Sequence, residues 1–583
     1  MRPARVTAVA LAGAERQAAG ERPGAGAKRG SGARARSLTR HRPVSAVDLG
    51  NSARFAPLVL IATVLGGCAG LPPGADLPKA TSVALAHPEE TRLGGQFATA
   101  SQAHDGTSGF RIITVGIDGF LARVQMIDAA ERTLDLQYFI FRGDETGRLV
   151  TEALLRAADR GVRVRVLIDD GDTVAGDEQI MALDAHPAIE IRIFNPFAYR
   201  GHGRLRRHSE FLFNAPRLDY RMHNKLLVVD NAVALIGGRN IGNQYFQMDP
   251  ESQFADDDVF AAGPIAGQLS ATFDEYWNSQ FAIPAEALGP KKRTAAALAV
   301  HREQTSERPG QLLQPVKGSG VDYVKRIATG EPYAGMISGQ LPLVWAHAQV
   351  VCDSPDKKHV ENGSLAGRLM TRPVGDAASA VQSELLMVTP FYIPADEEVQ
   401  LLKDLRQRKV RVRILTNSLE SAPELVAQSG YMHYRVPLLE DGVELYEIRS
   451  LLGNARGSGQ TPMLSRYGNY SLHAKLFVFD RQKVFIGSMN FDQRSKRLNT
   501  EVGLIIDSPE LARQTAVRFE AMAQPENSYV LELRPRSAGS PPHLVWHTQE
   551  DGKAVEYVRE PARSRWQRLE VKLLSLLPLG REL

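Results

Sequence analysis

Short apolar runs, bounded by polar turns, recur along this chain, and they recur twice. Gly161-Val-Arg-Val-Arg-Val-Leu-Ile-Asp169 is matched by Lys409-Val-Arg-Val-Arg-Ile-Leu-Thr-Asn417, at an offset of 248. Upstream, Leu134-Asp-Leu-Gln-Tyr-Phe-Ile-Phe141 corresponds to Leu385-Leu-Met-Val-Thr-Pro-Phe-Tyr-Ile393. Such β-rich runs, apolar enough for burial on both faces, predict interior strands. Between the members of each pair lies a helical pattern, Arg148-Leu-Val-Thr-Glu-Ala-Leu-Leu-Arg-Ala-Ala158 in one half and Val399-Gln-Leu-Leu-Lys-Asp-Leu405 in the other. Strand, helix and strand in that order predict βαβ units, hence an α/β fold with substantial parallel pairing in each half. The halves span 110–285 and 340–525. The segment 286–339 is polar with Pro and Gly and reads as a surface connection with some helix. Residues 526–583, with Trp546, Trp566 and Leu573-Leu-Ser-Leu-Leu577, read as a packing tail.

The N-terminus reads differently. Phe55-Ala-Pro-Leu-Val-Leu-Ile-Ala-Thr-Val-Leu-Gly-Gly-Cys68 is too short an apolar run for a permanent span. It follows 54 residues with eleven Lys and Arg and only Glu15, Glu21 and Asp48 as acids. A basic lead, a short apolar core and small residues predict a secretory signal over 1–67. Leu65-Gly66-Gly67-Cys68 resembles a bacterial lipobox, in which the cysteine is acylated and becomes the new N-terminus. Cys68 is therefore the predicted lipidation site, with 68–109 as a tether. No Asp stands next to Cys68, which by the same resemblance directs the protein to the periplasmic face of the outer membrane in the bacterial cell envelope. The long lead is read as an upstream start, with the working start near Val44 or Val47.

This leader changes the charge argument. The whole chain is +4 with a pI of about 8.9, which alone would suggest a nucleic-acid partner. The leader carries +8 of that, so a chain beginning at Cys68 is at −4, and no nucleic-acid partner is expected. The chain's two cysteines, Cys68 and Cys352, exclude a disulfide scaffold and a Cys-built metal centre. Cys352 sits in an apolar run and is expected as a buried free thiol.

The repeated motif carries the chemistry. The first copy is His223-Asn-Lys225-Leu-Leu-Val-Val-Asp230, then Gly237-Gly238-Arg-Asn240; the second is His473-Ala-Lys475-Leu-Phe-Val-Phe-Asp480, then Gly487-Ser488-Met-Asn490, offset by 250 throughout. His and Lys at i and i+2 share one strand face. A hairpin return through the second apolar run brings Asn back beside them, and the small pair lets backbone approach a ligand closely. Lysine offers a point charge for phosphate and Asn adds amide donors. Two such corners face to face make one site. One imidazole is neutral and attacks phosphorus, while the other is protonated and supplies the leaving alkoxide with a proton. A carboxylate behind each His would fix its tautomer. The candidates are Asp258 and Glu501, each ahead of a matching apolar run, with Asp256 and Asp257 as rivals to Asp258.

The paired motif resembles the HKD signature of the phospholipase D superfamily. Within it, the chain is similar to C-type bacterial cardiolipin synthases and their lipoprotein-like relatives. That similarity is carried by Tyr138-Phe-Ile-Phe-Arg142, Asp353-Ser-Pro-Asp-Lys357, Phe491-Asp-Gln-Arg-Ser495, Asn499-Thr-Glu501 and Glu560-Pro-Ala-Arg-Ser-Arg-Trp566. The resemblance implies two phospholipase D-like α/β domains packed as a pseudo-dimer around one active site. It also implies metal-independent transfer through a phosphohistidine, with no cofactor and with phospholipid substrates, and membrane attachment through the lipid anchor. His223, Lys225, Asn240, His473, Lys475 and Asn490 carry over as catalytic. Asp230 and Asp480 belong to the same motif, but lie on the opposite strand face and read as framework. Ser488 matches the family's usual Gly-Ser, whereas Gly238 departs from it and removes a hydroxyl donor. Cardiolipin synthesis leads the implied functions. Hydrolytic phospholipase D activity, an HKD nuclease and a non-enzymatic envelope lipoprotein are the rivals.

Three further stretches carry expectations. Arg163 and Arg165, alternating with Val, read as the exposed face of a strand. Arg204-Leu-Arg-Arg207-His208 reads either as a lipid-phosphate contact or as a solvated loop. Arg563-Ser-Arg-Trp-Gln-Arg568 and the leucines after it read as packed on the body, with a membrane-interface position as the alternative.

Overall fold

The computed structural model describes residues 75–577, apart from 172–176, 200–203, 250–251, 290–292, 307–334, 336–337, 339, 364–365, 452–468 and 536–541. The leader, the lipobox and Cys68 lie outside the described residues. The first half contributes β1 (Ser108–Ile113), β2 (Thr133–Tyr138), β3 (Arg163–Asp169), β4 (Ile189–Phe194), β5 (Lys225–Val229), β6 (Val233–Gly237), β7 (Ser252–Ala255), β8 (Asp258–Ala262) and β9 (Ala282–Pro284). The second contributes β10 (Val344–Cys352), β11 (Glu384–Val388), β12 (Arg411–Asn417), β13 (Glu444–Ile448), β14 (Asn469–Leu472), β15 (Leu476–Phe479), β16 (Lys483–Gly487), β17 (Val502–Asp507) and β18 (Ser528–Arg534), extended by β19 (His543–Glu550) and β20 (Lys553–Tyr557).

Both halves build the same sheet. In space the first runs β1-β8-β6-β5-β2-β3-β4-β9, and the second β10-β17-β16-β15-β11-β12-β13-β18. Parallel pairing is confined to β2-β3-β4 and β11-β12-β13, whose strands are joined by helical crossovers; all the other pairs of these two sheets are antiparallel, and of these only β5-β6 and β15-β16 are tight hairpins. The halves join edge to edge through β1 and β10, antiparallel. They clasp again through the parallel pair β7 and β14, which sits directly ahead of the second motif.

Helix Glu145–Asp159 shows why the crossovers form. Asp144 caps its first turn, accepting from Gly147 N–H, and Val150, Ala153, Leu154 and Ala157 form one buried face. Three cores result. One lies on the outer side of each sheet, and a third is shared, joining Leu226, Val228 and Phe273 of the first half with Leu476, Val478 and Phe519 of the second. Helices Pro264–Asn278 and Pro509–Ala523 fill that shared layer.

The two-faced cover corrects the reading of Arg163 and Arg165. Arg163 is half-buried and Arg165 is only 1% exposed. The Arg165 guanidinium bonds Asp135 at 2.6 and 2.9 Å and Asp274 at 2.7 Å, below the Phe273 and Trp277 rings. Helix Pro264–Asn278 covers the strand face that would otherwise meet solvent, so the charge is matched internally; removing one partner costs about 3–5 kcal/mol. Arg413 repeats this in the second half with Glu520.

Three other expectations change. The described part of the tether is docked rather than free: Lys79 Nζ donates to Ala282 O at 2.9 Å, and helix Arg92–Gln102 buries Leu93 and Phe97 in the first core. The stretch from Arg204 is helical, spanning Arg204–Leu218, and Arg207 pairs with Asp170 at 3.2 Å. The tail is part of the second sheet through β18-β19-β20 and ends in helix Arg565–Ser575. Cys352 is a buried free thiol, as expected, and burial pushes its pKa up. Among the described residues, no helix is long and apolar enough to cross a membrane.

Candidate active site

Each motif folds as a β-hairpin, β5–β6 and β15–β16. The turns place Asp230 and Asn231, and Asp480 and Arg481, at positive φ. Asp tolerates that conformation, and here it also ties the sheet. Asp230 accepts from the N–H groups of Glu131, Arg132 and Thr133, and Asp480 from those of Gln382, Ser383 and Glu384. Both carboxylates stand at the far end of the hairpin from the histidines, so they are framework and not part of the reacting constellation.

At the near end the halves cross. His223 N–H donates to Thr500 O at 2.9 Å, and His473 N–H donates to Ala255 O at 2.8 Å. Thr500 and Ala255 are the residues ahead of Glu501 and Asp256. The side chains cross in the same way. His223 Nδ1 lies 2.9 Å from both oxygens of Glu501, and His473 Nδ1 lies 2.6 Å from Asp256 Oδ2. Each imidazole is thus backed by a carboxylate from the opposite half. With Nδ1–H given to the carboxylate, Nε2 keeps the reactive lone pair. Asp169 and Asn417 brace the approach: each accepts from the N–H just ahead of a motif His, Met222 and Leu472 respectively, both at 2.8 Å.

Asp258, expected behind a histidine, is not there. It pairs with Arg123 at 2.7 Å and Arg239 at 3.1 Å, while Asp257 pairs with Arg518 at 3.0 Å. The physical reason is register. Asp258 opens β8 opposite Gly237, which points it at the buried arginines. Asp256 lies in the crossing between β7 and β8, where it can reach the other half.

The two corners are alike but not equal. Ser488 Oγ donates to Glu501 at 2.5 Å and Ser495 Oγ donates to it at 2.8 Å. Glu501 N–H is itself held by Asp353, which pairs with Lys357 at 2.8 Å. At the first corner Gly238 offers no hydroxyl, and a Cβ there would stand 2.1 Å from Asp256 Oδ1. That oxygen accepts from Asp257 N–H at 2.8 Å.

Electrostatics follow from burial. Both histidines and both lysines are nearly or fully buried. Burial, then Lys225 and Lys475, holds the His223 imidazole well below its usual pKa. Burial and Lys475 push His473 down to about 3. The Lys475 ammonium lies 3.2 Å from His473 Nε2 and is itself pushed down to about 8, again by burial first. Lys225 is also lowered, by burial first; it donates to His223 O and sits over the Phe139 ring. Burial raises both carboxyls. At Asp256, His473 and the nearby cations outweigh it and the net shift is downward, whereas Glu501 remains raised. Burial thus favours the neutral form of both imidazoles, with the Lys225 and Lys475 side chains beside them.

Aromatic rings wall the site: Phe139 packs edge-on to His223, and Tyr245 and Phe254 pack against His473. Asn240 is pinned, accepting from Ile140 N–H at 3.0 Å and donating to the Tyr245 hydroxyl at 2.9 Å. Asn490 is also buried, but its Oδ1 has no protein partner. It lines a cavity behind the second hairpin with Phe477 and Asp492, the latter's carboxyl pushed up to about 7 by burial. Among the described residues, no cluster of three or more His, Cys, Asp or Glu is arranged to hold a metal ion.

A twice-repeated α/β sheet that brings one His-Lys corner from each half together defines the phospholipase D-like class. Sequence comparison agrees. A profile described as "Cardiolipin synthase, PLD-like domain" matches residues 124–277 and 376–523. The chain is 34% identical to "Cardiolipin synthase C" of Escherichia coli (strain K12), over 84% of this chain and 99% of that protein. It is 24% identical to "Major cardiolipin synthase ClsA" of Bacillus subtilis (strain 168), over 70% and 67% of the two chains. Among solved structures, phosphatidylserine synthase of Haemophilus influenzae Rd KW20 superposes with a TM-score of 0.47 at 14% identity, over 74% of this chain and 91% of that one. The chain belongs to the cardiolipin synthase group of the phospholipase D-like family, and it is an enzyme of the phospholipase D type.

Proposed function

We propose that this enzyme makes cardiolipin by moving the phosphatidyl group of one phospholipid to the glycerol headgroup of phosphatidylglycerol, through a phosphohistidine. The observation that carries this reading is the crossed pair of His–carboxylate contacts, His223 with Glu501 and His473 with Asp256. It supplies two imidazoles of fixed tautomer from two halves, as an in-line displacement and its reversal require.

His223 is the nucleophile. Its carboxylate is shared with two serine hydroxyls, which weakens the pull on its proton, while burial and the two lysines keep the imidazole neutral. Asp256 has no side-chain hydroxyl on it and stabilises a charged His473 better. The entering phosphodiester neutralises the lysines that hold His473 down, so His473 takes up a proton. His223 Nε2 then attacks phosphorus, the P–O bond to the leaving alcohol breaks, and His473 Nε2–H protonates the departing oxygen. In the second step the acceptor hydroxyl gives its proton to His473, its oxygen attacks phosphorus, and the P–N bond breaks. Lys225 and Lys475 balance the charge of the five-coordinate phosphorus, with Asn240 and Asn490 as supporting amides. Asp230 and Asp480 hold the hairpins.

The protein acts at the bacterial envelope, anchored through an acylated Cys68 on the periplasmic face of the outer membrane. The lipobox sequence supports this address. Purified enzyme given phosphatidylglycerol vesicles in EDTA, with and without phosphatidylethanolamine, tests the reaction by mass spectrometry of the lipids. Cardiolipin is the expected product. Phosphatidic acid alone would make the enzyme a hydrolase, and activity abolished by EDTA would overturn the metal-independent route.

A further inference from the structure

Helix Arg565–Ser575 is built inside out. Its side against the body is Gln567, Val571 and Leu574, of which only Val571 is buried. Its apolar stripe faces outward, with Trp566 77%, Leu573 57% and Leu576 80% exposed. At about 100° per residue, Trp566, Leu569, Leu573 and Leu576 fall on one strip of the surface. A soluble face does not ordinarily carry such a strip. Arg565 and Lys572, both exposed, line one edge of it. An outward apolar stripe with a tryptophan and a basic margin suits the boundary between acyl chains and anionic headgroups.

The helix is fixed in place, and the place matters. Ser564 caps it, accepting from Gln567 N–H at 3.0 Å. Gln567 Nε2 donates to Leu419 O at 2.8 Å, and Arg563 donates to Glu420 O. Leu419 and Glu420 belong to the loop that leaves β12. Asn417 and Ser421, in and beside that loop, hold Leu472 and Ser471, immediately ahead of His473. The stripe is therefore bolted to the element that positions one catalytic imidazole.

We propose that helix Arg565–Ser575 lies in the surface of an anionic phospholipid bilayer and turns the mouth of the site towards the layer that supplies the substrate. This extends the phospholipid reading above and is tested apart from it. The full chain is placed on vesicles of phosphatidylglycerol and phosphatidylethanolamine whose acyl chains carry bromine near the headgroup. Trp277 and Trp546 are buried and Trp345 is half-buried, and Trp566→Phe gives their background. Trp566 emission should shift to the blue and be quenched above that background. The variant Leu569→Glu/Leu573→Glu/Leu576→Glu should lose the quenching and lose roughly tenfold or more of its turnover on vesicles. It should retain its turnover on a short-chain phosphatidylglycerol dissolved as monomer. Unquenched Trp566 in the unaltered chain overturns the proposal; if its emission is nevertheless blue, another part of the chain or a second copy covers the stripe. Quenching without any phosphatidyl transfer would keep the docking surface and overturn the proposed reaction instead.

Discussion

The two motif corners share a backbone and differ in how the acid is held. At the second corner the acid is long, Glu501, and Ser488 and Ser495 both donate to it. At the first it is short, Asp256, and the chain comes so close that only glycine fits at 238. A glycine in place of the family's usual serine thus goes with a shorter acid rather than with a degraded site. The consequence is electrical. One carboxylate spends its charge on hydroxyls, while the other keeps it for its histidine. This difference between the two corners is what the proposed division into a nucleophile side and an acid side rests on.

The largest effect that can break this comparison is loss of a histidine. His223→Ala and His473→Ala should each lower phosphatidyl transfer by roughly 10³-fold or more. They should part company on a p-nitrophenyl phosphodiester, whose leaving group needs no proton. There His473→Ala should release a stoichiometric burst of nitrophenol and His223→Ala none. A burst from the His223 variant would reverse the assignment.

Gly238→Ser comes next. The new Cβ would meet Asp256 Oδ1 at 2.1 Å, so the acid must move and His473 loses its orientation. A displacement of about an ångström costs on the order of 10²-fold in turnover. Restoring the usual motif residue should therefore damage the enzyme, and steady-state kinetics showing unchanged or higher kcat would refute the steric account.

Ser488→Ala should do least, roughly a threefold to tenfold loss, because Ser495 still donates to Glu501. Its signature is in pH. Without that hydroxyl Glu501 pulls harder on its imidazole, and the His223 pKa rises. Since the nucleophile must be neutral, the acidic limb of kcat/KM should move to higher pH. A limb that stays in place would mean the serine only packs.

Much of this was legible in the chain. The offset of the motifs gave the duplication, the apolar runs gave the strands, and the small pair followed by Asn gave the hairpin return. What misled was buried charge. Asp257 and Asp258 looked like ordinary candidates because nothing local reveals that Arg518, Arg123 and Arg239 wait inside to neutralise them. Arg165 looked solvent-facing for the same reason, its carboxylate partners lying 30 and 109 residues away. Aligning the acids by the apolar run that follows selects Asp258. Aligning them by the ladder instead matches Ser488 N–H to Val502 O with Gly238 N–H to Asp257 O, and so pairs Glu501 with Asp256. That alignment depends on pairing between strands, which residue order alone does not display. The docked tether and the sheet strands of the tail were hidden likewise, because each is stabilised by partners far away in sequence.

The most direct test is to trap the intermediate. Enzyme mixed with phosphatidylglycerol, quenched rapidly under alkaline conditions that preserve phosphohistidine and digested, should carry the phosphatidyl group on the peptide containing His223. The adduct should survive longer in His473→Ala, where the second step is slowed. An adduct on His473, or none on either histidine under turnover, would contradict the covalent, divided roles of the two corners.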